Sequence, residues 1–497
     1  MKYSFSKAIL NSISETYTYA HARNAYQYEG STTNYDPYSF FESLLEIEPF
    51  QTFMELDGFA YKKTKNTLDR YEIPYTREQE RKAKVYFDVV NEMKRQRSDY
   101  VSIFMDNVEG TGVVLWKDPY CFTTQKTLDN YRFIKSLPTK QYTQNVLYDH
   151  LLDERIKRSK EQHKAVELCL TYKISCLIGG AGTGKSFVTA SIVDQLIANG
   201  RKVSILAPTH KAKEALQSKL SPKSGTVRTI HSFVHRPDYC DVIVVDEASF
   251  ISTPLFNMLK RAYHGQQLIF VGDKNQLPPV EYGRPFELIQ KRFPVAELKE
   301  NKRSESADII ALGREILGYP QNANMPLENI VKVKTVKEAF EHGAQVVLTH
   351  KNVDVNQINE QQKLGENNAI SPNFSIGDVV VAETTQMGRF YKGQLFEIVS
   401  RDTIKDKNSG RTVKLSSYRD LDYNFKLAYG LTINKSQGSE WDVVGYLPNL
   451  GDTQNLAYVA VTRAKKKLIM IENDEHRWND SYSPEREWKH INEVNSI

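Results

Sequence analysis

This sequence of 497 residues predicts an α/β fold: two parallel-sheet units, a small inserted β-barrel and a separate, mostly helical N-terminal domain. Three observations carry that prediction. The apolar run Ile174-Ser175-Cys176-Leu177-Ile178 leads straight into Gly179-Gly180-Ala181-Gly182-Thr183-Gly184-Lys185-Ser186, and helical spacing follows from Phe187 to Ala198. The octet fits the phosphate-binding loop G-x-x-x-x-G-K-[ST] at every fixed position, and strand, glycine loop, helix is the context that makes such a match a site. Short apolar runs at 174–178, 203–207, 242–246 and 267–271 then alternate with helical segments, the pattern of a parallel sheet covered on both faces. The same alternation returns near 345–349, 426–429, 442–446 and 467–471, around a β-rich interval at 374–421.

In chain order, residues 1–150 form an N-terminal accessory domain rich in Tyr and Phe, with helical patterns at 40–56 and 77–97 and a strand at 112–116. The basic stretch Lys94-Arg95-Gln96-Arg97 could touch nucleic acid, but a solvated helix end suits it better. Residues 151–305 form the first sheet unit, 306–373 together with 422–497 the second, and 374–421 the insertion, where 377–381 and 395–399 are β-rich. Hydrophobic residues make up 40% and charged residues 26%, a globular composition. A net charge of +5 permits a polyanionic partner without demanding one. Cys121, Cys169, Cys176 and Cys240 show no metal-ligand spacing, and are expected to be free thiols in a reducing compartment. With neither a signal-peptide pattern nor a membrane-length apolar run, the expectation is a cytoplasmic protein.

The loop specifies its own chemistry. Backbone N–H groups between the glycines wrap phosphates, and the following helix favours anions at its N-terminus. Lys185 reaches the outer phosphates, and Ser186 ligates the magnesium that neutralises them. Asp241-Val242-Ile243-Val244-Val245-Asp246-Glu247 is an apolar strand ending in two carboxylates. Asp246 suits the magnesium, and Glu247 suits orienting and deprotonating the attacking water. In Gly272-Asp273-Lys274-Asn275-Gln276-Leu277-Pro278-Pro279-Val280, Gln276 can sense the terminal phosphate from a loop stiffened by two prolines. Arg303 and Arg463 are candidates for the arginine that stabilises charge on the transferring group, a contribution of about 10³–10⁵ in rate.

The ordered set is wider than a nucleotide site. It includes Ala207-Pro208-Thr209-His210-Lys211-Ala212-Lys213, Thr229-Ile230-His231-Ser232-Phe233, Thr432-Ile433-Asn434-Lys435-Ser436-Gln437-Gly438-Ser439-Glu440 and Tyr458-Val459-Ala460-Val461-Thr462-Arg463-Ala464. As a set, over about residues 155–470, it resembles the superfamily 1 DNA helicases of the RecD-like branch, which includes the phage Dda type. The resemblance implies two RecA-like domains with ATP and magnesium in the cleft between them. It implies that Gly179 through Ser186, Gly438 and Glu440 lie at the nucleotide, and that Gln162 reads adenine. It places single-stranded DNA on Pro208, Thr209, His210, Thr229 and His231 of the first domain, and on Asn352, Thr432, Lys435, Ser436 and Gln437 of the second. Hydroxyls, amides and backbone N–H groups suit phosphate oxygens without reading sequence. The insertion matches the branch's SH3-like barrel. Implied partners are single-stranded DNA, duplex junctions and replication or recombination proteins, with no membrane and a monomeric state.

Three features depart from the family pattern. Asn434 stands where histidine is usual. Between His231 and Asp241 the chain is too short for the β-hairpin wedge that relatives carry. Residues 1–150 lie outside the resemblance, and supplying the wedge is one role open to them. Phe233 and Tyr282 are positioned as base-stacking candidates or as packing residues, and Trp441 as core. The expected activity is ATP-dependent unwinding in DNA replication, recombination or repair; the alternative is a single-strand translocase or remodelling ATPase with little unaided unwinding. Relatives of this branch move 5′ to 3′.

Overall fold

A computed structural model describes residues 3–6, 9–10, 13, 37–54, 60–96, 98–102, 108–115, 121–140, 158–221, 224–300, 306–319, 327–364, 369–386, 388–417 and 419–472. Arg303 and the end of the expected strand at 116 lie outside them.

The N-terminal region begins with helices α1 (Pro37–Ile47), α2 (Pro49–Met54), α3 (Tyr61–Arg70) and α4 (Arg77–Gln96). The helical pattern expected over 40–56 divides at Pro49, which opens α2 because proline suits the first turn of a helix but not its interior. Phe41, Phe50, Phe53 and Leu68 pack between these helices. Three short antiparallel strands follow, β1 (Val101–Ser102), β2 (Val113–Leu115) and β3 (Cys121–Thr124), with β3 in the middle. Helix α5 (Gln125–Ser136) closes the region, capped by the Thr124 side chain. Ile134 and Leu137 join the same apolar cluster as Ile243 and Val245 of the first parallel sheet. The Asn130 amide donates to the Thr253 carbonyl at 2.9 Å. Helix α5 therefore covers one face of the neighbouring unit.

The first unit runs α6 (Lys160–Thr171), β4 (Ile174–Gly179), α7 (Lys185–Ala198), β5 (Val203–Ala207), α8 (His210–Gln217), β6 (Val227–Thr229), α9 (Ile230–His235), β7 (Val242–Val245), α10 (Thr253–Arg261), β8 (Gln267–Gly272), α11 (Pro285–Arg292) and β9 (Val295–Leu298). Its strands form one parallel sheet in the order β6-β5-β7-β8-β4-β9. Side chains alternate across the pleat. On β7, Ile243 and Val245 face one apolar layer while Val242 and Val244 face the other, so both faces need helices. The sequence pattern left out β6 and β9. Both are sheet edges, where a strand is short and its apolar signal weak.

The second unit runs α12 (Ala307–Ile316), β10 (Ile330–Val333), α13 (Val336–Glu341), β11 (Val346–Thr349) and α14 (Asn352–Gln362). The insertion follows as β12 (Ala369–Ser371), β13 (Phe374–Ser375), β14 (Val379–Ala382), β15 (Leu395–Ser400), β16 (Thr403–Asp406), β17 (Thr412–Lys414), α15 (Arg419–Asn424) and β18 (Phe425–Leu427). The chain then returns through β19 (Gly430–Thr432), α16 (Ile433–Ser436), β20 (Trp441–Tyr446), α17 (Gln454–Val461) and β21 (Ala464–Ile471). The second parallel sheet has the order β10-β21-β20-β11-β19. The insertion forms a separate antiparallel sheet, β17-β16-β15-β14-β18, over Val380, Phe390, Phe396, Ile404 and Phe425.

The strand expected near 426–429 in the second parallel sheet divides between the two sheets. Phe425–Leu427 pairs antiparallel with β14, and the parallel sheet resumes only at Gly430, beside Val347. A Cβ at Gly430 would lie 3.0 Å from Ile358, so the strand enters where the side chain vanishes. The Asn359 side chain fixes that entry, accepting from the Gly430 N–H at 2.8 Å. Leu277 of the first unit packs with Leu348, Val444 and Tyr446 of the second, joining the two units beside the loop that carries Gln276. Among the described residues no helix is long and apolar enough to cross a membrane. All four cysteines are buried, and none forms a disulfide.

Candidate nucleotide site and nucleic-acid interface

The phosphate loop leaves β4 at the carboxyl edge of the first sheet and turns into α7 at Gly184. Gly184 has φ +86°, and a Cβ there would sit 2.7 Å from Gln162 Nε2, so both backbone and neighbour require glycine. Gln162 is held by a capping box with Ser159 at the start of α6, and its Nε2 donates to the Thr183 carbonyl at 3.4 Å. The expected adenine-reading side chain is thus buttressed against the loop. Lys185 Nζ donates to the Gly179 and Gly180 carbonyls at 2.6 and 3.1 Å, folded over the loop it serves. Ser186 Oγ lies 3.4 Å from Lys219 Nζ.

Strand β7 delivers Asp246 and Glu247 beside this loop. Burial is the first cause that raises both carboxyls above their usual range, Asp246 to about 7; the Glu247 charge adds to the effect on Asp246, and Lys185 partly offsets both. Glu247 adopts a left-handed backbone, φ +50°, unusual for a residue with a side chain. Its Oε2 is buried with no hydrogen-bond partner, as is Oε1 of Gln276. Ser249 Oγ links the two carboxyl-edge loops, donating to the Asp273 carbonyl and accepting from the Asp273 N–H at 2.8 and 2.9 Å.

The second unit completes the cluster. Arg463 follows α17; its Nε donates to the Val459 carbonyl at 3.1 Å and its Nη1 to the Ser439 carbonyl at 3.3 Å. Its charge reaches Glu247, lowering that carboxyl against the pull of burial. Tyr458, one helical turn earlier, crosses the cleft. Its hydroxyl accepts from the Ala181 N–H at 3.1 Å and donates to Asp273 Oδ2 at 3.2 Å. The Asn455 amide donates to the Asn275 carbonyl at 2.9 Å. Reasoning from sequence quoted Tyr458 within a motif and gave it no role; the contact joins residues 277 positions apart and depends on how the units dock.

Gly438 and Glu440 follow α16, and a Cβ at Gly438 would lie 3.6 Å from Lys211 Cγ. Lys211 reaches from α8 to donate to the Lys435 carbonyl at 2.9 Å. Burial, with Arg463 nearby, pushes its ammonium down to about 7. This pairing sets α8 of the first unit against α16 of the second, a contact between units that the sequence alone does not reveal.

The expected DNA-contacting residues divide by exposure. Thr209, His231, Asn352 and Lys435 are exposed, His210 is partly covered, and Pro208 is buried. Thr209, Thr229 and Thr432 cap α8, α9 and α16, accepting from Ala212, Ser232 and Lys435 N–H groups. Ser436 is fully buried, its hydroxyl donated to the Ile433 carbonyl at 2.7 Å. Gln437 Nε2 is buried without a partner. Lys435 Nζ pairs with Glu383 of the insertion at 2.6 Å. Between β6 and β7 lie α9 and an irregular stretch, with no strand among these described residues. Phe233 and Tyr282 are buried at 0% and 3% exposure, the packing alternative of the two open to them.

A phosphate loop, paired carboxylates two strands away in the same sheet and an arginine from a second parallel sheet together have the make-up of a P-loop nucleotide site between two units. Sequence comparison narrows the class. Residues 157–323 match the AAA domain family model, and residues 427–471 match the UvrD-like helicase C-terminal domain. The chain is 25% identical over 442 residues to the ATP-dependent RecD2 DNA helicase of Deinococcus radiodurans, covering 80% of this chain and 61% of that protein. It is 26% identical to the RecBCD enzyme subunit RecD of Mycobacterium tuberculosis, covering 63% and 68%. Bacteroides Pif1 bound to ssDNA aligns with TM-score 0.44 at 16% identity over 69% of this chain and 97% of that one. By sequence the chain is similar to the RecD-like superfamily 1 helicases. It spans less than two thirds of the length of the RecD2 relative.

Proposed function

We propose that this chain is an ATP-dependent DNA helicase that steps along single-stranded DNA and opens duplex as ATP is hydrolysed between two RecA-like domains. The observation that carries the reading is the meeting of Lys185, Asp246 and Glu247 with Arg463 and Tyr458 across the two sheets. Glu247 Oε2 and Gln276 Oε1, buried and unpartnered, fit a site whose remaining partners are water and phosphate. Bound ATP with magnesium supplies the phosphoryl group whose transfer to water drives the cycle.

Each residue then has a task. The N–H groups of Gly179 through Ser186 cradle phosphate, and Lys185 swings from its loop carbonyls toward the outer oxygens. Ser186 and Asp246 would hold the magnesium; among the described residues no group of three or more His, Cys, Asp or Glu side chains forms a metal site unaided. Glu247 orients the attacking water and takes its proton. Gln276 senses the outer phosphate, while Arg463, joined by Arg303, stabilises charge there. Gln162 recognises adenine, and Gly438 and Glu440 approach the nucleotide. Strand contacts fall to Pro208, Thr209, His210, Thr229, His231, Asn352, Thr432, Lys435, Ser436 and Gln437. The domains we propose are 1–150, 151–305, 306–373 with 422–497, and an SH3-like barrel at 374–421, to whose sheet β18 adds residues 425–427. The protein acts as a cytoplasmic monomer on single strands and junctions in replication, recombination or repair.

Lys185→Ala is expected to abolish ATP hydrolysis while single-strand binding persists, measured by phosphate release and anisotropy. Hydrolysis surviving that change would refute the assignment. A second reading, a translocase with little unaided unwinding, is favoured by the lack of a strand between β6 and β7.

A further inference from the structure

His210 opens α8, and Tyr391 lies in the loop between β14 and β15 of the insertion. Their rings stack 3.8 Å apart at 13°. That is almost face to face, whereas aromatic pairs prefer offset or edge-on contact. Within the insertion's own core, Phe390 and Phe425 sit 4.8 Å apart at 53°. The two jaws are held by flanking bonds. Tyr391 N–H donates to Gln394 Oε1 at 2.6 Å, and Gln394 Nε2 donates to Glu214 Oε1 at 2.6 Å, Glu214 standing one turn after His210 on α8. His210 Nδ1 is buried with no hydrogen-bond partner. Charges of both signs surround the stack: Lys213 and His231 act on the His210 ring and Lys392 is exposed beside Tyr391, while Glu214 and Asp406 flank Gln394 and Lys435 is paired with Glu383. A planar nucleobase matches such a slot in shape, and Lys213 and Lys392 stand where its flanking phosphates would pass.

We propose that His210 and Tyr391 are the two jaws of a base-stacking slot, which part by one ring thickness to admit a nucleobase of single-stranded DNA. The inference rests on the DNA reading above and adds Tyr391 and a base contact to it. Occupancy strains the Gln394–Glu214 bond, so the position of the insertion registers whether a base is present. Stacking uses the face common to every base, so the slot favours no sequence.

The test compares a mixed-sequence deoxyoligonucleotide with an abasic strand of equal length, by anisotropy at fixed salt, for the full chain, Tyr391→Ala and Tyr391→Trp, with each variant's melting temperature recorded. Tyr391→Ala is expected to lose about fivefold to 150-fold in affinity for the base-bearing strand and nothing on the abasic strand. Tyr391→Trp is expected to keep the wild-type preference. Equal losses on both strands would make the stack a structural clasp and overturn the slot, as would no loss at all. Wild-type protein that holds neither strand would overturn the DNA reading with it, whereas wild-type binding to both strands without a Tyr391 effect overturns the slot alone.

Discussion

Tyr458 shows how a single hydroxyl can join the two units. In accepting from the Ala181 N–H and donating to Asp273, it ties the second unit to the phosphate loop and to the loop after β8 by one hydrogen bond each. Each such bond is a net contribution of about 0.5–1.5 kcal/mol. Tyr458→Phe releases the loop, and the ADP dissociation constant is expected to fall about two- to tenfold, by titration with a fluorescent analogue. Weaker binding would mean the hydroxyl helps to hold nucleotide. Lys211 makes a pH prediction. Its ammonium is pushed from an ordinary 10.5 down to about 7, so between those values the unfolded chain binds a proton that the folded chain lacks. Its cost to stability is fully present below about pH 7 and fades as pH rises to 10.5. Thermal melts of Lys211→Met should lie above wild type at pH 7, and the gap should close toward pH 10.

At the scale of elements, legibility followed signal strength. The phosphate loop could be read because its chemistry constrains Gly179, Gly184, Lys185 and Ser186 individually, and the Gly184–Gln162 approach shows the constraint as a distance. Strand β7 could be read because Val242 through Val245 are buried on both faces. Edge strands β6, β9 and β10 lacked that continuous apolar run, and their placement depends on helices packed elsewhere in the chain. The division at Ala428-Tyr429 was invisible because each half is apolar, and only the Ile358–Gly430 contact decides where the parallel sheet begins. The antiparallel β2–β3 pair, packed through Val113 and Phe122 against Tyr282, suits the wedge role. Replacing residues 116–120 with a Gly-Ser turn is expected to abolish duplex opening while DNA-stimulated ATPase persists. Unwinding retained by that variant would exclude the hairpin.

Across the whole molecule, the described contacts between the two parallel-sheet units include Leu277, Tyr458, Arg463, the Asn455–Asn275 bond and the Lys211–Lys435 bond. In the cycle proposed above, nucleotide biases the cleft between two arrangements through contacts made in only one of them. Those contacts are the part of the site that sequence could not supply, because each pairs residues from different units. The N-terminal region is bound in similarly: Asp99 is buried, accepting from Tyr131 Oη at 2.7 Å and from the Arg284 N–H at 3.2 Å. Truncation at residue 150 would therefore strip Ile134 and Leu137 from the first unit's core, which is why a local change at the hairpin tests the wedge better.

The most direct test of the central claim is strand separation on partial duplexes carrying a 5′ or a 3′ single-stranded tail, with ATP and magnesium, alongside ATPase rates on the same DNA. The account predicts that the 5′-tailed duplex opens, and that opening and hydrolysis vanish together in Lys185→Ala. Brisk DNA-stimulated hydrolysis with neither duplex opened would contradict it, and would make this chain a translocase.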